Sequence, residues 1–148
     1  KPEEYAGSRL YLTKDANAGF AITPDGDLIS VFNAKGSPHA GITRSMLLAA
    51  VQLGARKLDA FNIYLTKVYA RAGFRPVSRV KWDEEMIPDG WDKEVFKAYN
   101  KGEPDVYLFV FDPKFNGDFA QKDVKLRTTW DSAASVQSEW MEKLGSKQ

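Results

Sequence analysis

Few side chains in this sequence can do covalent or proton-transfer chemistry. It has 148 residues with one His and no Cys, so a thiolate nucleophile, a thiolate zinc site and a disulfide are excluded. His39 alone cannot build a multi-histidine centre, and no metal site is expected, although carboxylates by themselves suit Mg²⁺ or Ca²⁺. It lies in a loop of small residues and reads first as an exposed side chain, second as a base. Asp59, in a short apolar segment, is a further candidate base. Gly41-Ile42-Thr43-Arg44-Ser45 stands where a loop passes into a helix-forming run. The N–H groups and dipole of a helix start favour an anion, and Thr43, Arg44 and Ser45 add donors. Lys35-Gly36-Ser37-Pro38 lacks the Gly-Lys-Ser/Thr ending of a Walker loop. By type alone, Asn62 is a helix N-cap and Tyr69 a half-buried core aromatic. Trp82, Trp91, Trp130 and Trp140 read as packing residues rather than a ligand cage. Asp83-Glu84-Glu85 reads as a solvated face, with attraction of a lysine or polyamine as the functional alternative.

These residues must be positioned by the elements around them. Length fits one domain over residues 1–148, and 43% hydrophobic with 28% charged residues is ordinary for a folded chain. The formal net charge of +1 gives no argument for a nucleic-acid or membrane partner. No apolar run approaches a membrane span and no signal peptide is visible, so a cytoplasmic protein is expected. The opening Lys1-Pro2-Glu3-Glu4 has no Met, which suits a trimmed chain or a piece of a longer product.

Strands are expected at Ser8–Thr13, Ala18–Thr23 and Leu28–Phe32, with Pro24-Asp25-Gly26-Asp27 as the turn between the last two. A loop, Asn33–Ile42, leads to a helix over Thr43–Leu53 that Gly54 stops. Lys57–Phe61 is a short buried strand, and a helix follows from Asn62 to Ala72, closed by Gly73. Phe74–Trp82 and Val106–Phe111 complete the strands, separated by a polar stretch with a helical piece near Lys93–Tyr99. A closing amphipathic helix over Ser132–Leu144 carries Ala133, Val136, Trp140 and Leu144 on one stripe. The order β-β-β-α-β-α-β-β-α predicts an α/β fold with a mixed central sheet and flanking helices. Leu28–Phe32 and Lys57–Phe61 should run parallel and splay apart, because a right-handed crossover links them.

The segment from Asn62 to Phe74 resembles the fourth-helix signature of the GNAT N-acetyltransferase superfamily. Asn62, Leu65, Val68, Tyr69, Arg71, Gly73 and Phe74 fall in its register, and the resemblance covers roughly Ser8–Phe111. The chain is also similar to a phage-type branch of GNAT-like proteins, through Gly54-Ala55-Arg56-Lys57-Leu58-Asp59-Ala60-Phe61 and Pro88-Asp89-Gly90-Trp91. The resemblance implies a GNAT-like fold whose first-helix region is missing. It also implies acetyl-CoA as co-substrate, with direct transfer of the acetyl group to an amine acceptor. Tyr69 would protonate the leaving thiolate, and a strand amide would polarise the carbonyl. Gly41, Ile42, Thr43, Arg44 and Ser45 would hold the pyrophosphate, and Asn62 would face the cofactor. Of the superfamily's Arg/Gln-x-x-Gly-x-Gly/Ala loop, the aligned Pro38-His39-Ala40-Gly41-Ile42-Thr43 keeps only Gly41. That departure leaves open a second reading, a GNAT-fold binding module without activity, or a domain of a phage polyprotein, that occupies a host protein.

Overall fold

The computed structural model describes residues 7–34, 41–63, 65–87 and 89–145, and the chain divides into two units, Lys1–Leu58 and Asp59–Gln148. In the first unit, β1 (Arg9–Leu12), β2 (Ala18–Ile22) and β3 (Leu28–Asn33) form an antiparallel sheet in that order. Every residue of the central β2 is buried. The turn from β2 to β3 closes through Gly26 N–H to Thr23 O at 3.0 Å, and Gly26 takes the φ of 86° that its lack of a Cβ permits.

That turn also receives the next strand. The Gly26 carbonyl accepts the N–H groups of Arg56 (2.8 Å) and Lys57 (3.2 Å), and Asp27 and Lys57 form a parallel bridge. Beyond it β3 stays in the first sheet and β4 (Lys57–Phe61) belongs to a second one. The parallel start matches the expectation, but the single central sheet becomes two sheets. Between the strands, α1 (Ile42–Gln52) buries Met46, Leu47 and Ala50. Gly54 with φ 110° ends it, and Arg9 and Arg56 donate to the carbonyls of Leu53 and Val51 near its end.

The second unit carries α2 (Leu65–Arg71), β5 (Phe74–Val80), β6 (Val106–Phe111), β7 (Lys125–Arg127) and α3 (Trp130–Gly145), with strand order β4-β6-β5-β7. β5 and β6 are antiparallel, β5 and β7 parallel, so this sheet is mixed. Pro76 lies in a strand paired on both sides, where its missing N–H should be disruptive. The ladder absorbs it by a bulge: Pro76 faces Phe109 and Ser78 faces Leu108, leaving Val77 as the extra residue. The stripe predicted on α3 lies against this sheet. Ala133 packs with Val80, Val106 and Leu108, and Val136 with Val77 and Val110, flanked by Trp140 and Leu144. Two buried polar side chains fix that packing, Ser78 Oγ donating to Ala133 O (2.8 Å) and Gln137 Nε2 to Phe109 O (2.9 Å).

Three local expectations change. α2 spans Leu65–Arg71 rather than beginning at Asn62, whose N–H donates to Asp105 O at 2.8 Å. The piece near Lys93–Tyr99 is a chain of turns rather than a helix. β7 was not expected: three residues, alternating charged and apolar, leave no readable pattern. His39 and Lys35-Gly36-Ser37-Pro38 fall outside the described residues.

Asp25 ties the turn to β4 through Lys57 Nζ at 2.9 Å. The Thr23 hydroxyl bonded to it, and then Lys57, hold its carboxyl below the usual range. A lowered carboxylate pKa means stability present above the unfolded value and lost as pH falls through the folded one. Asp25→Asn should therefore flatten the acid limb of the stability-against-pH curve and leave it unchanged near neutrality in slope, read by urea denaturation between pH 2 and pH 7. An acid limb identical to the parent's would show that Asp25 takes no part.

Candidate functional site

In the first unit the notable backbone feature lies in β3. Gly19 pairs with Phe32 and Ala21 with Ile29, so Ser30 and Val31 together face Phe20. This is a β-bulge, and Ser30 adopts φ 55°, uncommon for a residue with a Cβ. A bulge removes a residue from the regular ladder and re-aims backbone groups, a device frequent beside active sites. α1 opens in the same unit without a side-chain cap, on Gly41 at φ 78° with no acidic residue in its first turn. Gly41, Arg44 and Ser45 are exposed, Ile42 and Thr43 half-buried. Its first N–H groups and the Arg44 guanidinium thus form a positive end of the kind that receives phosphate.

In the second unit, Asp59 is exposed on β4. Tyr69 is only 7% exposed and sets its ring edge-on to Phe109, centroids 5.8 Å apart. Asn62 is half-buried and lines a cleft of about 990 Å³, beside Thr66, Trp82, Tyr99, Asp105 and Phe119. A second pocket of about 410 Å³ shares Asn62 and Phe119 with it and reaches Arg71 and Tyr107. Burial pushes the Tyr107 hydroxyl up, which keeps it protonated. Asp105 is neutralised by Arg79 at 2.6 Å, and Arg79 also donates to Val124 O, clamping β7 to the sheet.

Of the residues singled out from sequence, the structure thus places Asn62 on the cleft, Tyr69 beneath the sheet-facing side of α2, and Gly41–Ser45 in the other unit. The acidic run is exposed, as expected of a solvated face, and two of its carboxylates have partners. Glu84 accepts from Trp82 Nε1 (3.1 Å) and Lys93 Nζ (2.7 Å), and Lys93, then Trp82, hold its carboxyl below the usual range. Asp83 accepts the Glu85 N–H at 2.9 Å. Attraction of a basic acceptor by this run is thereby weakened. Trp91 stacks on Phe96 at 4.3 Å and lies 4.8 Å from Phe61 and 5.3 Å from Trp82. Trp140 lies under Arg75. Packing explains all of these, but Trp82 has a second role on the cleft wall that its sequence context did not show. Among the described residues no group of three His, Asp or Glu could hold a metal ion, and no helix is long and apolar enough to cross a membrane.

No protein-family model matches the chain, and no curated protein matches it. Two crystal structures are similar in fold over part of their length. One, described as a GNAT-family acetyltransferase from Desulfovibrio desulfuricans, has a TM-score of 0.43 and 18% identity, covering 72% of this chain and 73% of its own. The other, described as an acetyltransferase from Agrobacterium tumefaciens, has a TM-score of 0.41 and 16% identity, covering 73% and 81%.

Thr66 is 3% exposed and its Oγ1 has no hydrogen-bond partner among the described residues. A buried orphan hydroxyl costs ~1–3 kcal/mol. The near-isosteric Thr66→Val should therefore match or exceed the parent's stability by up to about 1 kcal/mol in urea denaturation. A loss of more than about 1 kcal/mol would mean that the hydroxyl has a partner.

Proposed function

We propose that this chain is an acyl-CoA-dependent N-acetyltransferase of GNAT type, with residues 1–148 as a single domain. The observation that carries the reading is the bulge at Ser30–Val31 in the strand preceding α1. Direct transfer requires a donor for the thioester carbonyl, whose oxygen gains charge as the amine attacks. A backbone N–H of this strand, its direction set by the bulge, is suited to that task. The parallel start of β3 and β4 and the uncapped N-terminus of α1 support the same reading.

In this scheme the first turn of α1, from Gly41 through Ser45, holds the pyrophosphate and Asn62 faces the cofactor. The acceptor's nitrogen lone pair forms the new N–C bond and the C–S bond breaks. Tyr69 gives its proton to the departing thiolate, and the proton lost by the amine restores the phenol through solvent or Asp59. Each residue acts without a covalent enzyme intermediate. The rival, a GNAT-fold module that binds without turnover, is favoured by the burial of Tyr69.

Calorimetry of the purified protein with acetyl-CoA decides first. Binding at ~100 Kd should add about 2.7 kcal/mol of stability, and absence of binding favours the module. Arg44→Glu should weaken that binding about tenfold or more by charge reversal at the helix start. Unchanged affinity would place the phosphates elsewhere. Tyr69→Phe keeps the ring against Phe109 but removes the proton, so kcat should fall ~10²–10⁴-fold with acetyl-CoA affinity retained. Full turnover in Tyr69→Phe would return this residue to the core.

A further inference from the structure

The cleft beside α2 has a charge pattern that the proposed chemistry does not use. Four charged side chains line its larger part: Lys67, Lys81, Glu103 and Asp105. Both carboxylates are already engaged. Asp105 pairs with Arg79 at 2.6 Å, and Glu103 shares Lys93, at 3.3 Å, with Glu84. Lys67 and Lys81 form no ion pair among the described residues, and neither does Arg71 where the groove continues. Asp118 lines the smaller pocket but not the larger one. One Lys93 cannot neutralise both Glu84 and Glu103, so a negative charge stays at that end. The positive charge held in no ion pair lies on Lys67 and Lys81, inside a concavity whose walls focus its field.

The walls supply the rest of a recognition site. Trp82, Tyr99 and Phe119 are half-buried on the lining and offer flat apolar surface. Trp82 is held rigidly, bonded to Glu84 and packed 5.8 Å from Phe61 and 5.3 Å from Trp91. The rim is also fixed. Asn100, Lys101 and Gly102 all have positive φ, and Trp91 Nε1 donates to Gly102 O at 2.9 Å. A Cβ on Gly102 would lie 2.5 Å from the Lys93 carbonyl, so this loop is pressed tightly onto its support. Residues held in such backbone conformations concentrate at ligand clamps. A volume of about 990 Å³ is at the upper end for small-molecule sites.

We infer that this cleft binds a small molecule combining an aromatic or apolar body with an anionic group, carboxylate or phosphate, that Lys67 and Lys81 receive. Lys67 and Lys81 take no part in the proposed acetyl-CoA site, whose one residue on this lining is Asn62. Where the acyltransferase reading holds, on which this last step rests, the occupant is the acceptor, and it is an acidic one rather than a polyamine.

Calorimetry with four naphthyl probes of one shape tests this: 1-naphthyl phosphate, 1-naphthoate, neutral 1-naphthol and cationic 1-naphthylmethylamine. The two anions should bind, the better of them naming the anionic group, with the alcohol about tenfold weaker or more and the amine weakest. Lys67→Glu and Lys81→Glu should each lower anion affinity about tenfold or more, while Lys14→Glu, in the other unit, leaves it unchanged. Similar affinities for all four probes, or anion binding unaffected in both cleft variants, would overturn the assignment. Saturating coenzyme A should not displace the naphthyl anion. Competitive displacement would give the cleft to the cofactor and overturn the proposal. Anion binding in a protein that takes up no acetyl-CoA would uphold the cleft and remove only the acyltransferase reading.

Discussion

One carbonyl organises the start of the parallel arrangement. Gly26 sits at the tip of the β2–β3 turn, and its oxygen accepts two backbone N–H groups from the chain entering β4. A carbonyl has two lone pairs, so both bonds are satisfied at once. With these made, Asp27 and Lys57 must pair in parallel, and the crossover through α1 must fit between two fixed ends. The left-handed φ of Gly26 is what turns that oxygen to the incoming strand, and an added Cβ would come within 3.2 Å of the Gly54 carbonyl.

In the second unit the organising contacts are side chain to backbone. Ser78 and Gln137 are buried polar groups, and each donates to a carbonyl across the sheet–helix interface. Apolar packing of α3 on the sheet is non-directional and would tolerate a slide along the helix. These two bonds remove that freedom, because a displaced helix would bury an unsatisfied hydroxyl and amide. Arg79 acts likewise at the other edge, joining Asp105 and Val124 O.

Elements with strong local signals were legible in the sequence. The Pro-Asp-Gly-Asp turn, the glycines that end α1 and α2, the apolar run of β6 and the stripe on α3 each have a local physical cause. The start of α2 was not legible, since no local pattern shows that Asn62 is still bonded to Asp105, far along the chain, at the end of β4. The bulge at Ser30 was invisible for the same kind of reason. Ser-Val within Leu-Ile-Ser-Val-Phe carries no turn chemistry, and the conformation is imposed by pairing with β2. The cleft was legible only through Asn62, because Lys67, Lys81, Trp82 and Phe119 are brought together by tertiary structure rather than by spacing.

The parallel seam between β5 and β7 bears on the order of assembly. Arg79 and Val124, which meet there, are 45 residues apart, so closing this loop directly from the unfolded chain is entropically slow. Pairing of β5 with β6 first brings the end of β6 to the start of β5 and leaves a much shorter segment to close. β7 offers only three residues to the seam, too little to hold without α3 docked behind it. On loop-closure entropy alone, this sheet pairs from its centre outwards, and the short parallel strand β7 joins it after β6.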